Sequence, residues 1–325
     1  MKSELHPVAV GVVGVGYWGK NLARNFAELG ALVAVADSHA PTADAIAAQN
    51  AVSAVDFDIM LSMPEVRGIV IATRAETHFS LARQALDAGK HVFVEKPLVL
   101  DEGEAEQLIA RAAAVDRVLM VGHLLRYHPA FQAMQRLVAS GDYGALRYVY
   151  SDRLSLGKIR TEEDVLWSFA PHDLSMVLAL CDEEPVSVVA QGAPFVSPSI
   201  SDFTTLDLAF SGGVKASIRA SWLHYRKVQQ IVAICDKATI VFEDSEPDWA
   251  RKLAIYPHTI DRGSPVPVPV RGEMSYVDVA NAEPLKLECQ HFLDCIAESR
   301  TPTTDGREGL AVLRVLQRAT AAQNG

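Results

Sequence analysis

Residues 7–19 read PVAVGVVGVGYWG, and the fold is decided there. Small and β-branched side chains fill positions 8–13 without a charged break. That is the pattern of a strand buried on both faces at the centre of a parallel sheet. The run passes directly into Gly14-Val15-Gly16-Tyr17-Trp18-Gly19, a G-x-G-x-x-G turn. Beyond it Leu22, Phe26 and Leu29 recur at helical spacing, and Gly30 stands where a helix would end. Gly14 permits the tight reversal, Gly16 lets the backbone approach a pyrophosphate, and Gly19 lets helix and strand pack closely. The helix start then presents N–H groups and the positive end of its dipole to phosphate charge.

Residues 31–37, ALVAVAD, supply a second buried strand ending in Asp37. An acid about 20 residues past the turn is where the adenosine ribose hydroxyls are bound. Ser38, His39 and Ala40 follow with no arginine, so NAD is favoured over NADP, whose 2′-phosphate would meet a carboxylate. Further along, RGIVIAT, KHVFVEKP and RVLMVGH read as strands, separated by the helical stretches HFSLARQALDAG and DEGEAEQLIARAAAV. Such alternation with short links predicts βαβ units in a doubly wound parallel sheet. Ligands bind at the carboxyl ends of its strands, which lines up Thr73, Glu95, Lys96 and His123 with the glycine turn.

The periodicity changes after His123. In VKASIRASW, apolar and polar residues alternate, as in a strand with one packed face. LRYVYSDR, VSVVAQG, TTLDLAF, QQIVAIC, ATIVFE and KLAIY read similarly, and SPVPVPV reads as an edge or linker segment. The expectation is a Rossmann domain over residues 1–123 and an α+β domain over 124–325, built on an open-faced, mainly antiparallel sheet.

At 325 residues the chain can form two domains, and 49% hydrophobic with 22% charged residues is a globular composition. A net charge of −10 and the lack of any Lys/Arg run speak against nucleic acid as a partner. The start, MKSELHPVAV, lacks signal-peptide regions, and no apolar run reaches spanning length, so a cytoplasmic protein without a membrane partner is expected. Cys181, Cys235, Cys289 and Cys295 show no C-x-x-C spacing and read as buried free thiols; no metal site is expected. The one-sided sheet favours a homodimer or homotetramer.

Two stretches carry candidate chemistry. Lys96 ends a buried strand on the cofactor rim; on position alone, a lysine beside the nicotinamide and a surface lysine with a solvated ammonium fit equally. In LWSFAPHDLSM, Pro171 suits a helix start, which would put His172 and Asp173 in the first turn. A single histidine fits a structural role as well, and Asp173 fits a first-turn acid. Neither stretch names an enzyme by itself.

Together, GVGYWGKN, ATRAETH, HVFVEKP, VGHLLRYHPAF and HFLDCIAESRTPTTDGREGL, in that order, resemble the Gfo/Idh/MocA oxidoreductase family over nearly the whole chain. The E-K-P segment is the most specific of these. With W-x-x-A-P-H-D, the chain looks most like the nucleotide-sugar branch, the UDP-N-acetylglucosaminuronate 3-dehydrogenases of lipopolysaccharide biosynthesis. The resemblance implies an NAD-dependent enzyme that oxidises a secondary hydroxyl of a sugar or nucleotide sugar and oligomerises through its C-terminal sheet. It implies Lys96 and His172 as the catalytic pair. Gly14, Gly16, Tyr17, Trp18, Gly19, Asp37, Ser38, Thr73, His78, Glu95 and Lys96 would line the cofactor. Histidine, with an ordinary pKa near about 6.5, would take the hydroxyl proton, while cationic Lys96 stabilises the alkoxide. Arg126, Arg153, Lys158, Arg160 and Asp173 are the candidates for substrate contacts, the 153–160 loop foremost; each cation alone fits a solvated surface better. One departure stands out: Ser168 occupies the place, four residues before His172, where many members carry Asp.

Other readings stay open. The same site run backwards would be a 3-ketosugar reductase, which Asp37 opposes if the donor is NADPH. An inositol or simple sugar dehydrogenase, NAD as an intermediate in glycoside cleavage, and a non-catalytic dinucleotide-sensing regulator are further alternatives. A sensor need not keep both Lys96 and His172.

Overall fold

A computed structural model describes residues 7–263 and 265–324, with Asn324 described by its backbone only. The chain divides into two compact units. The first holds the chain through Tyr127 plus Glu283–Leu313; the second holds His128–Ala282 and the residues from Arg314 on.

In the first unit the elements run β1 (Ala9–Val13), α1 (Gly19–Glu28), β2 (Leu32–Ala36), α2 (Ala40–Asn50), β3 (Ser53–Ala54), α3 (Phe57–Ser62) and β4 (Val66–Ile71). They continue with α4 (His78–Asp87), β5 (His91–Glu95), α5 (Glu102–Ala114) and β6 (Leu119–Gly122). The six strands are all parallel, in the order β3-β2-β1-β4-β5-β6. This is the doubly wound order expected of the fold, and its switch point lies between β1 and β4. Val10, Val12, Val35, Val70 and Phe93 are fully buried, as strands covered on both faces require.

The second unit begins with α6 (Pro129–Ala139), β7 (Leu146–Leu156) and α7 (Val165–Cys181). The strands β8 (Ser187–Ala193), β9 (Phe203–Ala209), β10 (Lys215–Ser221), β11 (Leu223–Cys235) and β12 (Ala238–Glu243) follow. Then come β13 (Leu253–Asp261), β14 (Val268–Arg271) and β15 (Ser275–Tyr276). The path is β14-β13-β12-β11-β7-β10-β9-β8, with β15 on β13; the β7–β10 pair is parallel and the other pairs are antiparallel. Ala216, Ile218 and Ala220 of β10 and Thr204, Leu206 and Leu208 of β9 face the packed side, under α7. Residues of SPVPVPV form the edge strand β14, where the missing N–H of proline is tolerated.

Two helices close the chain, α8 (Pro284–Glu298) and α9 (Gly306–Asn324). The first corrects the simple division at residue 123. Phe292 of α8 meets Phe26 and Phe93 edge-on, with ring centroids 6.4 and 5.7 Å apart, and Cys289, Leu293 and Ile296 join the same core. A Cβ at Gly68 would come within 3.0 Å of the Phe292 ring, so β4 has no side chain where α8 crosses it. Residues 283–313 therefore complete the Rossmann unit. Among the described residues, no helix is long and apolar enough to cross a membrane.

Candidate active site

β1 ends at Val13, and the chain is pinned at the switch point on both sides. The Gly14 N–H donates to the Ala36 carbonyl at 2.8 Å, and the Ala72 N–H to the Val13 carbonyl at 2.8 Å. The three motif glycines have different reasons. Gly14 has φ +83°, and a Cβ there would sit 2.8 Å from the Ala72 carbonyl. At Gly19 a Cβ would lie 1.8 Å from the Gly14 oxygen, so this position closes the turn onto the helix. A Cβ on Gly16 would meet nothing within 4 Å. Gly16 therefore fronts open space, which fits the close approach of a pyrophosphate.

The acid at the end of β2 holds this turn. Asp37 Oδ2 accepts the Val15 N–H at 2.8 Å, and Oδ1 accepts the His39 N–H at 2.9 Å. Ser38 beside it is exposed. Tyr17 is 89% exposed, with the Lys20 ammonium 5.6 Å from its ring centre. The Trp18 indole donates to Glu95 Oε1 at 2.6 Å, and the Lys96 N–H to Glu95 Oε2 at 3.3 Å. A Cβ on Gly122 would lie 3.0 Å from the Glu95 carboxyl, so β6 passes tightly behind it. Burial pushes the Glu95 carboxyl up, opposed by the Trp18 bond and the Lys96 charge. Lys96 itself is half-buried.

Thr73 Oγ1 lies 2.7 Å from Thr77 Oγ1. His78 is buried, with Nδ1 2.8 Å from the Pro97 carbonyl and Nε2 3.2 Å from the Thr73 carbonyl. It fastens the segment after β4 to the one after β5, and burial holds its imidazole below the ordinary range. Glu308 of α9 was not singled out by sequence reasoning. Its Oε2 pairs with His123 Nδ1 at 2.6 Å and its Oε1 with Arg126 Nη1 at 3.4 Å. Arg126 is thus buried beside an internal carboxylate.

In the second unit, α7 carries the histidine segment, and it starts earlier than the sequence suggests. Asp164 caps it by accepting the Trp167 N–H at 3.0 Å, which moves Pro171 into the helix interior. His172 and Asp173 therefore lie beyond the first turn. Asp173 is 1% exposed. Its carboxylate accepts Arg153 Nε at 2.5 Å, Arg153 Nη2 at 3.3 Å and the Ser151 hydroxyl at 2.5 Å. The first-turn acid is instead one half of a buried ion pair between α7 and β7. His172 is half-buried and Ser168 buried. Lys158 is exposed in the loop after β7, and Arg160 Nη1 lies 2.5 Å from Glu163.

Comparison with known proteins identifies the family. Residues 8–123 match the Gfo/Idh/MocA model described as an oxidoreductase family with an NAD-binding Rossmann fold, and 131–241 match the GFO/IDH/MocA C-terminal domain. The chain belongs to the Gfo/Idh/MocA oxidoreductase family. The UDP-N-acetylglucosamine 3-dehydrogenase of Acidithiobacillus ferrooxidans is 34% identical over 310 residues, 93% of each chain. Its solved structure superposes with a TM-score of 0.85 at 30% identity, covering 97% of both chains. An inositol 2-dehydrogenase of Rhizobium meliloti is 26% identical over 325 residues, 96% of each chain. As a Gfo/Idh/MocA protein, the chain is a dehydrogenase acting on CH–OH donors with an NAD-binding Rossmann domain. The open space at Gly16 and the acid at Asp37 fit that cofactor.

Proposed function

We propose that this enzyme oxidises the C3 hydroxyl of a UDP-linked N-acetylhexosamine with NAD, and that UDP-N-acetylglucosamine is the first substrate to test. The observation that carries this reading is the 34% identity, over 93% of both chains, to a UDP-N-acetylglucosamine 3-dehydrogenase. The pairing of the arginines bears on the sugar's C6 group. A uronate needs a cation of its own, whereas Arg126 is engaged with Glu308 and Arg153 with Asp173. Both pairings favour a neutral hydroxymethyl group over the 6-carboxylate. Lys158 and Arg160 are then assigned to the diphosphate; the Arg160–Glu163 contact is partly exposed and exchanges at little cost.

When bound, NAD supplies the acceptor for the C3 hydride. His172 takes the hydroxyl proton as general base. The Lys96 ammonium stabilises the alkoxide as it forms. Asp173 does not touch substrate in this scheme. Its bonds to Arg153 and Ser151 fix the turn of α7 that bears His172, so it is a positioning residue. Exposed Tyr256, Ile260, Val268, Val270 and Tyr276 on β13–β15 support association of copies through the second unit's sheet, which light scattering tests.

Absorbance of the reduced nicotinamide tests the reaction. UDP-N-acetylglucosamine, its 6-uronate, UDP-glucuronate and myo-inositol are each mixed with enzyme and NAD, beside Lys96→Met and His172→Asn. Turnover of UDP-N-acetylglucosamine that is lost in both variants is expected. Preference for the 6-uronate refutes the argument from the paired arginines, and turnover of myo-inositol alone refutes the nucleotide-sugar assignment.

A further inference from the structure

The first unit has a second concave site, at the amino ends of its strands and therefore at the opposite edge of the sheet from the glycine turn. It is a cavity of about 380 Å³. Arg67 and His91 come from the starts of β4 and β5, and Arg117 from just before β6. Arg300 comes from the link between α8 and α9, and Arg307 from the first turn of α9. Four guanidiniums around one cavity stand out in a chain whose net charge is −10.

Part of that charge is already committed. Arg117 donates to the Gly89 carbonyl at 2.6 Å and to the Asp116 carbonyl at 2.7 Å, and Arg300 pairs with Glu298 at 2.6 Å. Two carboxylates also line the cavity. One of them, Asp305, accepts the Arg307 and Glu308 N–H groups at 2.9 Å, where it caps α9. Among the described residues, neither Arg67 nor Arg307 has a carboxylate partner, and both are exposed. Two guanidinium forks are thus left facing a cavity of net positive charge.

His91 adds a directed donor. Its Nδ1 accepts the Val118 N–H at 3.0 Å, so the neutral ring carries its proton on Nε2. The ring stays neutral at pH 7 because burial, reinforced by the charges of Arg117 and Arg67, lowers it to about 4. The floor, in contrast, is apolar: Ile109, Leu119, Ile296 and Pro302. Guanidinium forks match phosphate oxygens bidentately, and an apolar floor takes a flat or aliphatic body. The volume lies near the lower end of the roughly 300–1,000 Å³ range of ligand pockets, which suits a mononucleotide and is too small for a dinucleotide.

We infer that this cavity is a second binding site, separate from the catalytic rim, for a nucleoside monophosphate. Its phosphate would lie between Arg67 and Arg307, and its base and ribose on the apolar floor. The inference is independent of which sugar the enzyme oxidises.

Calorimetry on the full-length protein saturated with NADH tests it, with UMP, AMP, uridine and inorganic phosphate as probes. Saturation with NADH removes the adenosine subsite of the glycine turn from competition, and a saturating level of UDP-N-acetylglucosamine in the same cell removes the proposed uridine subsite. Two variants probe the cavity: the double Arg67→Ala/Arg307→Ala removes the unpaired cations, and Ala113→Trp fills the space while leaving every charge in place. Lys96→Met serves as the active-site control. Saturable binding of UMP or AMP is expected. It should persist in Lys96→Met, weaken at least about tenfold in the double variant, and be lost in Ala113→Trp. The inference is overturned if neither nucleotide binds up to about 10 mM, or if binding survives unchanged in both cavity variants. Equal binding of uridine overturns the phosphate contact, and equal binding of inorganic phosphate overturns the role of the floor.

Discussion

The ion pair behind His172 gives a sharp test of how the second unit is held together. Asp173 is 1% exposed, and the Arg153 side chain 9%, with 2.5 Å between Nε and Oδ2. Asp173→Asn keeps the volume and removes the charge, leaving a buried guanidinium with no counter-ion. Breaking such a pair from one side costs about 3–5 kcal/mol. For a unit of this size each kcal/mol moves the melting temperature by roughly 2–4 °C, so a fall of about 6–20 °C is expected. The double variant Arg153→Met/Asp173→Leu removes both charges. Ser151 keeps a bond to the Gln230 carbonyl at 3.0 Å, so nothing polar is stranded, and most of the lost stability should return. Scanning calorimetry of the wild type, Arg153→Met, Asp173→Leu and the double variant gives the coupling directly, with Asp173→Asn measured beside them. A loss below about 1 kcal/mol in Asp173→Asn would place the pair in effectively aqueous surroundings and refute the reasoning. A double variant no more stable than the singles would refute it as well.

Three further outcomes are expected. Gly19→Ala places a Cβ 1.8 Å from the Gly14 oxygen and should lower both melting temperature and NAD affinity, whereas Gly16→Ala, which meets nothing within 4 Å, should lower NAD affinity alone; calorimetric titration beside thermal melting separates them. Asp37→Ala removes the acceptor of the Val15 N–H, so KM for NAD should rise by about tenfold or more and the preference over NADP should narrow in initial-rate assays. Glu288 of α8 is fully buried with neither carboxyl oxygen bonded, and burial together with the charges of Glu95 and Glu308 holds it well above the ordinary carboxylate range. Its neutral form is the folded form, so its contribution is complete below the ordinary carboxylate pKa and is lost as pH rises through the raised one. Glu288→Gln should therefore gain stability relative to wild type between about pH 5 and 8, read from melting temperature across that range.

The first unit was legible because its signals are local. A strand run, three spaced glycines and an acid at the end of the next strand each occupy a few residues, and each has one physical use. The return of α8 was not legible. An amphipathic helix announces that it has an apolar face but not which sheet receives it, and the clue at Gly68 exists only once Phe292 is seen to lie across β4. Pro171 was misread for a related reason. Proline suits a helix start, but Asp164, seven residues earlier, caps the backbone and fixes the start there, and the helix then runs on through the proline. The roles of Arg153 and Asp173 depended on packing between β7 and α7. Twenty residues separate them, and nothing in either local pattern distinguishes a paired arginine from one awaiting substrate. The parallel β7–β10 pair was hidden too, because alternation reports which face of a strand is buried and not the direction of its neighbour.

The two acids at the rim of the Rossmann sheet show how position and use differ. Both stand at carboxyl ends of strands, where an acid is expected to meet the cofactor. Both also bond to the glycine turn: Asp37 to the Val15 N–H from the β2 side, Glu95 to the Trp18 indole from the β5 side. The turn is thus held across β1 by carboxylates from either side. The Glu95 contact has a second effect. Burial favours the neutral carboxyl, while the indole bond and the adjacent Lys96 charge favour the carboxylate. A Lys96 ammonium gains from Glu95 only when Glu95 is ionised, so the Trp18 bond helps set the charge environment of the lysine assigned to the alkoxide. Through that bond the glycine turn and the end of β5, proposed to meet the pyrophosphate and the nicotinamide, are parts of one electrostatic unit.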